Sequence, residues 1–242
     1  MTENLSSGHG EPLALLRLMH IADSALPIGS AAHSFGLEAL IDSGDLVVAD
    51  LEPFFVALLD ETGWLEAAYC RAAHALGATG LTPDGVAEWV RINARLAALR
   101  PARESRTASA TLGRRLLRLV GDLAATPLLE RAIVAANAAG VATFHCTAFG
   151  LVGSALGNDA TTTTLIYLHQ SLAALISACQ RLLPFGQNAA AQLLWHLKPT
   201  ILAVAQASDV ASQDLDAVGG FAPLAELGSL CHPHLRTRLF IS

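Results

Sequence analysis

Asp23, Ser24 and His33 have the residue types of a hydrolase triad and lie close together in the sequence. A serine hydrolase needs an activated nucleophile, a general base and a third group that orients the base. Ser24 lacks the Gly-x-Ser-x-Gly pattern that would expose it on a sharp turn. Asp23 or Ser24 more simply shapes a turn, and His33 or Ser34 more simply caps the next helix. We therefore predict a recognition loop, with a hydrolase as the alternative.

Cys231, His232 and His234 form the densest cluster of metal-ligand residue types in the chain. Thiolate and imidazole groups both suit nickel or zinc. Two or three ligands from one short peptide do not complete a structural site, and Pro233 stiffens that peptide. Helix capping or contact with a partner protein explains the same residues without a metal, so both interpretations stay open.

Arginine is concentrated in residues 91–131, which hold nine of the fourteen arginines. On a helical wheel for residues 101–120, three arginines fall opposite the apolar positions: Arg103, Arg114 and Arg118. A solvated helix face supported by Glu104 explains this pattern. Planar guanidinium groups also suit carboxylates or phosphates at an interface, so a binding surface is the second interpretation.

The elements that position these residues are predicted to be helices throughout. Apolar residues in 12–22 recur at spacings of three and four, which indicates an amphipathic helix ahead of the loop. Pro27 and Gly29 then break the helix, because proline lacks an amide donor and glycine tolerates positive φ. Further helices are predicted at 35–42, 51–59, 64–76, from Thr82-Pro83, from Pro101, and at 127–136, 141–156, 161–182 and 189–207 with a kink near Pro199.

The fold predicted from these elements is an all-α, single-domain bundle of about ten helices covering residues 12–242. Strand signals are poor, because alanine is abundant and period-two alternation is absent over useful lengths. Residues 1–11 are polar and glycine-rich without a basic start, so we expect a disordered tail and no signal peptide.

Composition excludes several classes of function. Hydrophobic residues make up 52% of the chain and charged residues 15%, so we expect a partner to cover some apolar surface. The net charge of −6 argues against a general nucleic-acid binder. Lys198 is the single lysine and Pro199 follows it, so the sequence contains no P-loop. The four cysteines form no CxxC pair, as expected of a reduced cytoplasmic protein.

Two long runs, 132–158 and 160–180, contain no Asp, Glu, Lys or Arg. Both exceed the roughly 20 residues that span a bilayer. Scattered Asn, Thr, His and Gln, with much Ala and Gly, favour buried bundle helices such as one around His145 and Cys146. A helical membrane protein that uses both runs is the alternative.

The end of the chain is unusually apolar. Leu239, Phe240 and Ile241 follow Arg238, whereas chain ends are normally polar and frayed. We therefore expect these residues to be tied down on this protein or on another.

Five blocks of sequence, in order, resemble the family of urease accessory proteins called UreF. They lie at Asp23-Ser24, Leu26-Pro27-Ile28-Gly29 and His33-Ser34-x-Gly36-Leu37-Glu38; at Arg103-Glu104-Ser105 with Gly113-Arg114-Arg115-Leu116-Leu117; at His145 with Phe149-Gly150; at Leu183-Pro184-Phe185-Gly186-Gln187; and at Arg238-Leu239-Phe240-Ile241-Ser242. This chain has Cys231 and Pro233 around His232, where the family commonly has Arg-His-Glu.

The resemblance implies an all-α, non-enzymatic homodimer that binds the scaffold UreD, also called UreH. Through that complex it would recruit the GTPase UreG and help to deliver nickel to apo-urease, without nucleic acid, membrane or a stably bound cofactor. The interface residues suggested by the resemblance and by the apolar end are Leu26, Pro27, Gly29, His33, Ser34, Glu38, Arg103, Glu104, Ser105, Arg238, Leu239 and Phe240. In that setting we expect Cys231, His232 and His234 to contact nickel in transit.

Overall fold

The computed structural model describes residues 10–220 and 222–242, which form helices joined by short connections. The α-helices are α1 (Gly10–Ile21), α2 (Leu37–Asp42), α3 (Leu51–Leu58), α4 (Trp64–Ala78), α5 (Pro83–Ala98), α6 (Arg103–Ala124), α7 (Pro127–Ala138), α8 (His145–Ala155), α9 (Ala160–Leu182), α10 (Gln187–His196), α11 (Lys198–Ala211) and α12 (Pro223–Cys231). Short 3-10 turns lie at Ser30–Ala32, Val48–Asp50 and His232–His234, and a π-helical turn at Leu59–Gly63 joins α3 to α4. The all-α prediction is confirmed. Residues 1–9 of the predicted tail lie outside the described ranges.

Local signals explain several helix boundaries. The Thr82 side chain accepts a hydrogen bond from the Gly85 amide at 3.3 Å, and Pro83 occupies the first helical position of α5, as predicted. The kink expected near Pro199 is a full break, because α10 ends at His196 and α11 begins at Lys198.

Helix α8 begins later than the sequence pattern suggested. Residue Phe144 is extended (φ −85°, ψ 158°), so the helix starts at His145 rather than at residue 141. The side chain of Asn93 on α5 holds this start, because its Oδ1 accepts the Phe144 amide at 3.1 Å and the Thr147 hydroxyl at 2.7 Å. A tertiary contact therefore sets a boundary that local propensity leaves open.

Helix α8 lies at the centre of the bundle. Residues 145–153 are all buried, and α4 crosses α8 so closely that a Cβ on Gly150 would overlap the carbonyl oxygen of Cys70. Within the described ranges, no helix is long and apolar enough to cross a membrane. The prediction that His145 and Cys146 are core residues is confirmed, and the alternative of two membrane spans is not favoured.

Candidate partner-binding site

The loop between α1 and α2 contains the residues of the proposed triad but does not assemble them. The Asp23 carboxylate accepts the Ala25 amide at 2.8 Å and shapes a turn, and Ser24 is exposed. His33 is buried, and its Nδ1 lies 2.8 Å from the hydroxyl of Ser242. Among the described residues, no hydrogen bond joins any two members of the triad.

The first part of this loop carries other predicted interface residues. Leu26 is buried, Pro27 is exposed, and Gly29 has a φ of +89°, which confirms that a positive φ is needed there. A guanidinium N–H of Arg115 on α6 donates to the Ile28 carbonyl at 3.0 Å. The loop is thus fixed to α6, and Pro27 remains accessible on its outer side.

The second part of the loop binds the last residues of the chain. The amides of Ser34 and Phe35 donate to the main-chain oxygen of Ser242 at 2.5 and 3.2 Å, and the Ser34 hydroxyl donates to the same oxygen at 3.0 Å. The Ile241 amide donates to the Ala32 carbonyl at 2.9 Å. Gly36 directly precedes α2, but the Ser34 hydroxyl accepts the Glu38 amide of the first turn at 3.5 Å, so Ser34 makes the capping contact that was expected of His33 or Ser34.

The C-terminal segment, residues 235–242, alternates between buried and exposed side chains at its end. Phe240 and Ser242 are each 4% exposed, whereas Leu239 and Ile241 are 62% and 68% exposed. The ring of Phe240 packs 4.1 Å from the guanidinium carbon of Arg181, a residue of α9. The expectation that this segment is tied down is confirmed, and it docks on its own chain while presenting Leu239 and Ile241 outward.

Glu38 on α2 is the main polar anchor of this segment. Its buried carboxylate accepts the Leu239 amide at 2.5 Å, the Phe240 amide at 3.1 Å and the Nε2 of His232 at 2.9 Å. Burial opposes ionisation of Glu38, but these hydrogen bonds from Leu239, His232 and Phe240 hold the pKa of the carboxyl below its ordinary value. Glu38 therefore binds the segment as a carboxylate.

His232 joins Glu38 to a second carboxylate. Its Nδ1 lies 2.6 Å from Glu104 on α6, and Glu104 also accepts a guanidinium N–H of Arg238 at 3.3 Å. His232 is fully buried, and one carboxylate lies within hydrogen-bond distance of each of its ring nitrogens. Helix α2, helix α6 and the C-terminal segment thus share one hydrogen-bonded network.

The predicted metal ligands do not come together. His232 uses both ring nitrogens in the network with Glu38 and Glu104, whereas Cys231 and His234 are exposed. Within the described ranges, no group of three or more His, Cys, Asp or Glu side chains has an arrangement that could hold a metal.

Arg103 and Ser105 lie on opposite faces of α6. The buried Ser105 hydroxyl donates to the Ser229 hydroxyl of α12 at 2.6 Å, while Arg103 is exposed. Arg103 lines an open groove of about 560 Å³ between α6, α12 and the C-terminal segment. The structure therefore brings the loop, α6 and the C-terminal segment together around one surface.

A polar cluster that the sequence did not reveal lies deeper, around a cavity of about 110 Å³. Arg100 forms an ion pair with Glu66, and the Tyr167 hydroxyl donates to Glu66 at 2.7 Å. His145 also lines the cavity, and its Nε2 has no hydrogen-bond partner among the described residues. Burial lowers the pKa of His145 to about 4; the Glu66 carboxylate opposes this shift and the Arg100 charge adds to it. The residues come from four different helices or connections, so no local spacing signals the cluster.

Known proteins of one family are similar to this chain over nearly its whole length. The family model UreF matches residues 48–198. A urease accessory protein UreF of Rhodopseudomonas palustris (strain BisB18) is 34% identical over 95% of this chain and 92% of its own length. Similar proteins of the same name occur in Bradyrhizobium sp. (strain ORS 278), 31% identical over 98% of this chain and 95% of the relative, and in Geobacillus kaustophilus (strain HTA426), 27% identical over 94% and 98%. The chain therefore belongs to the UreF family of urease accessory proteins.

Proposed function

We propose that this chain is a non-enzymatic adaptor of urease maturation that works in the cytoplasm as a homodimer. It binds the scaffold UreD (UreH) and recruits the GTPase UreG, which brings nickel as cargo for apo-urease. The observation that carries the proposal is similarity to urease accessory proteins over nearly the whole chain. The absence of a P-loop in this sequence fits a division of labour in which UreG hydrolyses GTP.

The surface proposed for UreD is built from the loop and the C-terminal segment. The exposed members are Pro27, Leu239 and Arg238, with Ile241 beside them. Leu239 and Ile241 offer apolar side chains on a backbone that is already ordered by Glu38, so little conformational entropy is lost when a partner covers them. The buried residues His33, Ser34, Glu38 and Phe240 support this surface from within.

Co-purification of the tagged chain with UreD and UreG tests the proposal, with and without residues 238–242. The full chain should retain both proteins, and the shortened chain should lose UreD while keeping its helical circular-dichroism spectrum. A full chain that retains neither protein contradicts the proposed function. A shortened chain that still retains both shows that the segment is not the anchor.

Contact with nickel in transit is a separate part of the proposal. Cys231 and His234 are exposed next to the buried His232, so Cys231→Ala/His234→Ala removes two potential ligands without disturbing the Glu38 network. Equilibrium dialysis with nickel alone should show lower uptake by this variant than by the wild type. Equal uptake rules the contact out.

A further inference from the structure

The cavity of about 110 Å³ gathers buried polar atoms that have no partner. Within the described ranges, six buried side-chain nitrogen and oxygen atoms form no hydrogen bond, and three of them belong to residues that line this one cavity. These three atoms are Nε of Arg100, Nε2 of His145 and Nε2 of Gln170. Because buried polar atoms are normally hydrogen-bonded, their convergence on one cavity points to an occupant that satisfies them.

Two of these side chains are held rigidly in place. Arg100 is 7% exposed and forms an ion pair with Glu66, which also accepts the Tyr167 hydroxyl at 2.7 Å. His145 is 8% exposed; its main-chain amide donates to the Ser109 hydroxyl at 3.3 Å, and its ring packs edge-on against Tyr167 with 5.4 Å between the ring centroids. The site is therefore ordered before anything binds, so an occupant loses little affinity to rearrangement.

The remaining walls of the cavity are largely apolar. They include side chains of the loop, α2, α3, α6 and α9: Phe35, Leu37, Phe54, Leu58, Leu112 and Leu175. Phe54, Leu58 and Leu175 are only partly buried, and the cavity is partly open. An apolar cavity of roughly 150 Å³ holds a molecule of the size of benzene, so a cavity of this volume suits an occupant of about four to six non-hydrogen atoms.

The charges around the cavity disfavour an ionic occupant. The charged side chains that line it are Glu66, Glu226 and Arg100, and both lining histidines are neutral near pH 7 because burial lowers their pKa values. An anion would add to a surplus of negative charge in a poorly hydrated space. A cation would find both carboxylates already engaged, Glu66 by the ion pair and Glu226 by the main-chain amide of Ala102 at 3.2 Å.

A neutral head with both an acceptor and a donor fits the three nitrogens. Arg100 and Gln170 present N–H donors, whereas His145 donates or accepts at Nε2 according to its tautomer. A planar amide offers two lone pairs on its oxygen and N–H groups on its nitrogen, so it satisfies His145 in either tautomer. Water would satisfy the same atoms but would leave the apolar walls hydrated.

We propose that this cavity binds a small neutral amide, with its polar head at Arg100, His145 and Gln170 and its hydrocarbon part against Phe54 and Leu58. The site is distinct from the surface formed by the loop and the C-terminal segment. The proposal does not depend on any partner protein, because the purified full chain is sufficient to test it.

The probe is propionamide, titrated into the ¹⁵N-labelled full chain at pH 7.5 and followed by nuclear magnetic resonance. Propionate and n-butylammonium serve as control ligands, because they match propionamide in number of non-hydrogen atoms but carry opposite charges. Propionamide should give saturable shifts with a Kd at or below about 10 mM, which is within the range open to a ligand of this size. Each ion should bind at least about tenfold more weakly.

Two variants test the walls and the polar head separately. Ala174→Leu fills the cavity from α9 and should weaken propionamide binding at least about tenfold, whereas Ala191→Leu, at an exposed residue of α10, should stay within about twofold. Gln170→Leu removes one donor and should weaken binding about fivefold, the effect of one neutral hydrogen bond. Its control is Gln192→Leu at another exposed residue of α10.

Several results would overturn the proposal. The absence of saturable propionamide binding to the wild type shows that the cavity holds water only. Equal or tighter binding of either ion contradicts the requirement for a neutral occupant. Unchanged affinity in Gln170→Leu places the amide elsewhere, and this result decides the question even if Ala174→Leu does not fold. All of these outcomes leave the proposed function standing, because they involve neither UreD nor UreG.

Discussion

Replacing Glu38 by glutamine should release the C-terminal segment while the helical core stays folded. The carboxylate accepts the amides of Leu239 and Phe240 and pairs with His232. Glutamine offers one acceptor oxygen, and its NH₂ group must face a main-chain N–H or the imidazole. A hydrogen bond to a charged group contributes about 1 kcal/mol more than a neutral one, so the two amide bonds together lose about 2 kcal/mol, or about 30-fold in the docking equilibrium.

Hydrogen exchange followed by mass spectrometry measures this loss directly, in a peptide that covers residues 236–242. Exchange of the Leu239, Phe240 and Ile241 amides should accelerate by about 30-fold in Glu38→Gln, because these amides open with the segment rather than with the whole protein. Glu52→Gln, at an exposed residue of α3, should leave them unchanged. Unchanged exchange in Glu38→Gln would refute the anchoring role, and equal acceleration throughout the core would show that the segment does not open on its own.

Four further predictions concern stability. Gly150→Ala should lower the melting temperature through a loss of about 1–3 kcal/mol, because its Cβ would overlap the Cys70 carbonyl. Gly121→Ala, whose Cβ would meet nothing within 4 Å, should raise stability by up to about 1 kcal/mol in the same thermal scan. Asn93→Leu should cost about 1–3 kcal/mol in urea denaturation, because the amide at the start of α8 loses its acceptor. Burial lowers the pKa of His145 to about 4 from an ordinary 6.5. As the pH drops from 6.5 to 4, the imidazole is therefore protonated in the unfolded chain but not in the folded one, and the free energy of unfolding falls. His145→Gln should therefore lose less stability than the wild type over that range, by up to about 3 kcal/mol in urea titrations, and an equal loss would contradict the assignment.

Local signals in the sequence were sufficient for most of the helices, although α12 was not predicted, but they did not identify the contacts between helices. Thr82 and Pro83 start α5 as predicted, because capping involves only neighbouring residues. Of the uncharged runs, 160–180 lies within α9 and 132–158 covers the end of α7 and all of α8; residues 145–153 are buried as predicted, whereas Val134 of α7 is 60% exposed. The start of α8, in contrast, depends on Asn93, which lies 51 residues earlier in the chain.

The candidate site shows the same limit more strongly. Glu38 and His232 are 194 residues apart, and His33 and Ser242 are 209 residues apart, so no periodicity could pair them. A charged residue on a short helix is normally expected to face water. Glu38 is buried because main-chain amides and the His232 ring satisfy its carboxylate, and these partners are known only from the fold. The sequence could group these segments only through resemblance to a family.

Burial divides the predicted interface residues into two kinds that a binding assay alone would confuse. Glu38, His33 and Phe240 are buried and hold the C-terminal segment in place. Leu239 and Ile241 lie on that segment and are exposed. Substitution of either kind should weaken partner binding, but only the buried kind does so by undocking the segment. Leu239→Ser should therefore weaken binding with unchanged amide exchange at residues 240–241, and Glu38→Gln should weaken binding in proportion to the gain in exchange. If Leu239→Ser accelerated amide exchange at residues 240–241 as much as Glu38→Gln does, Leu239 would also support the docked segment and would not act only by contacting the partner.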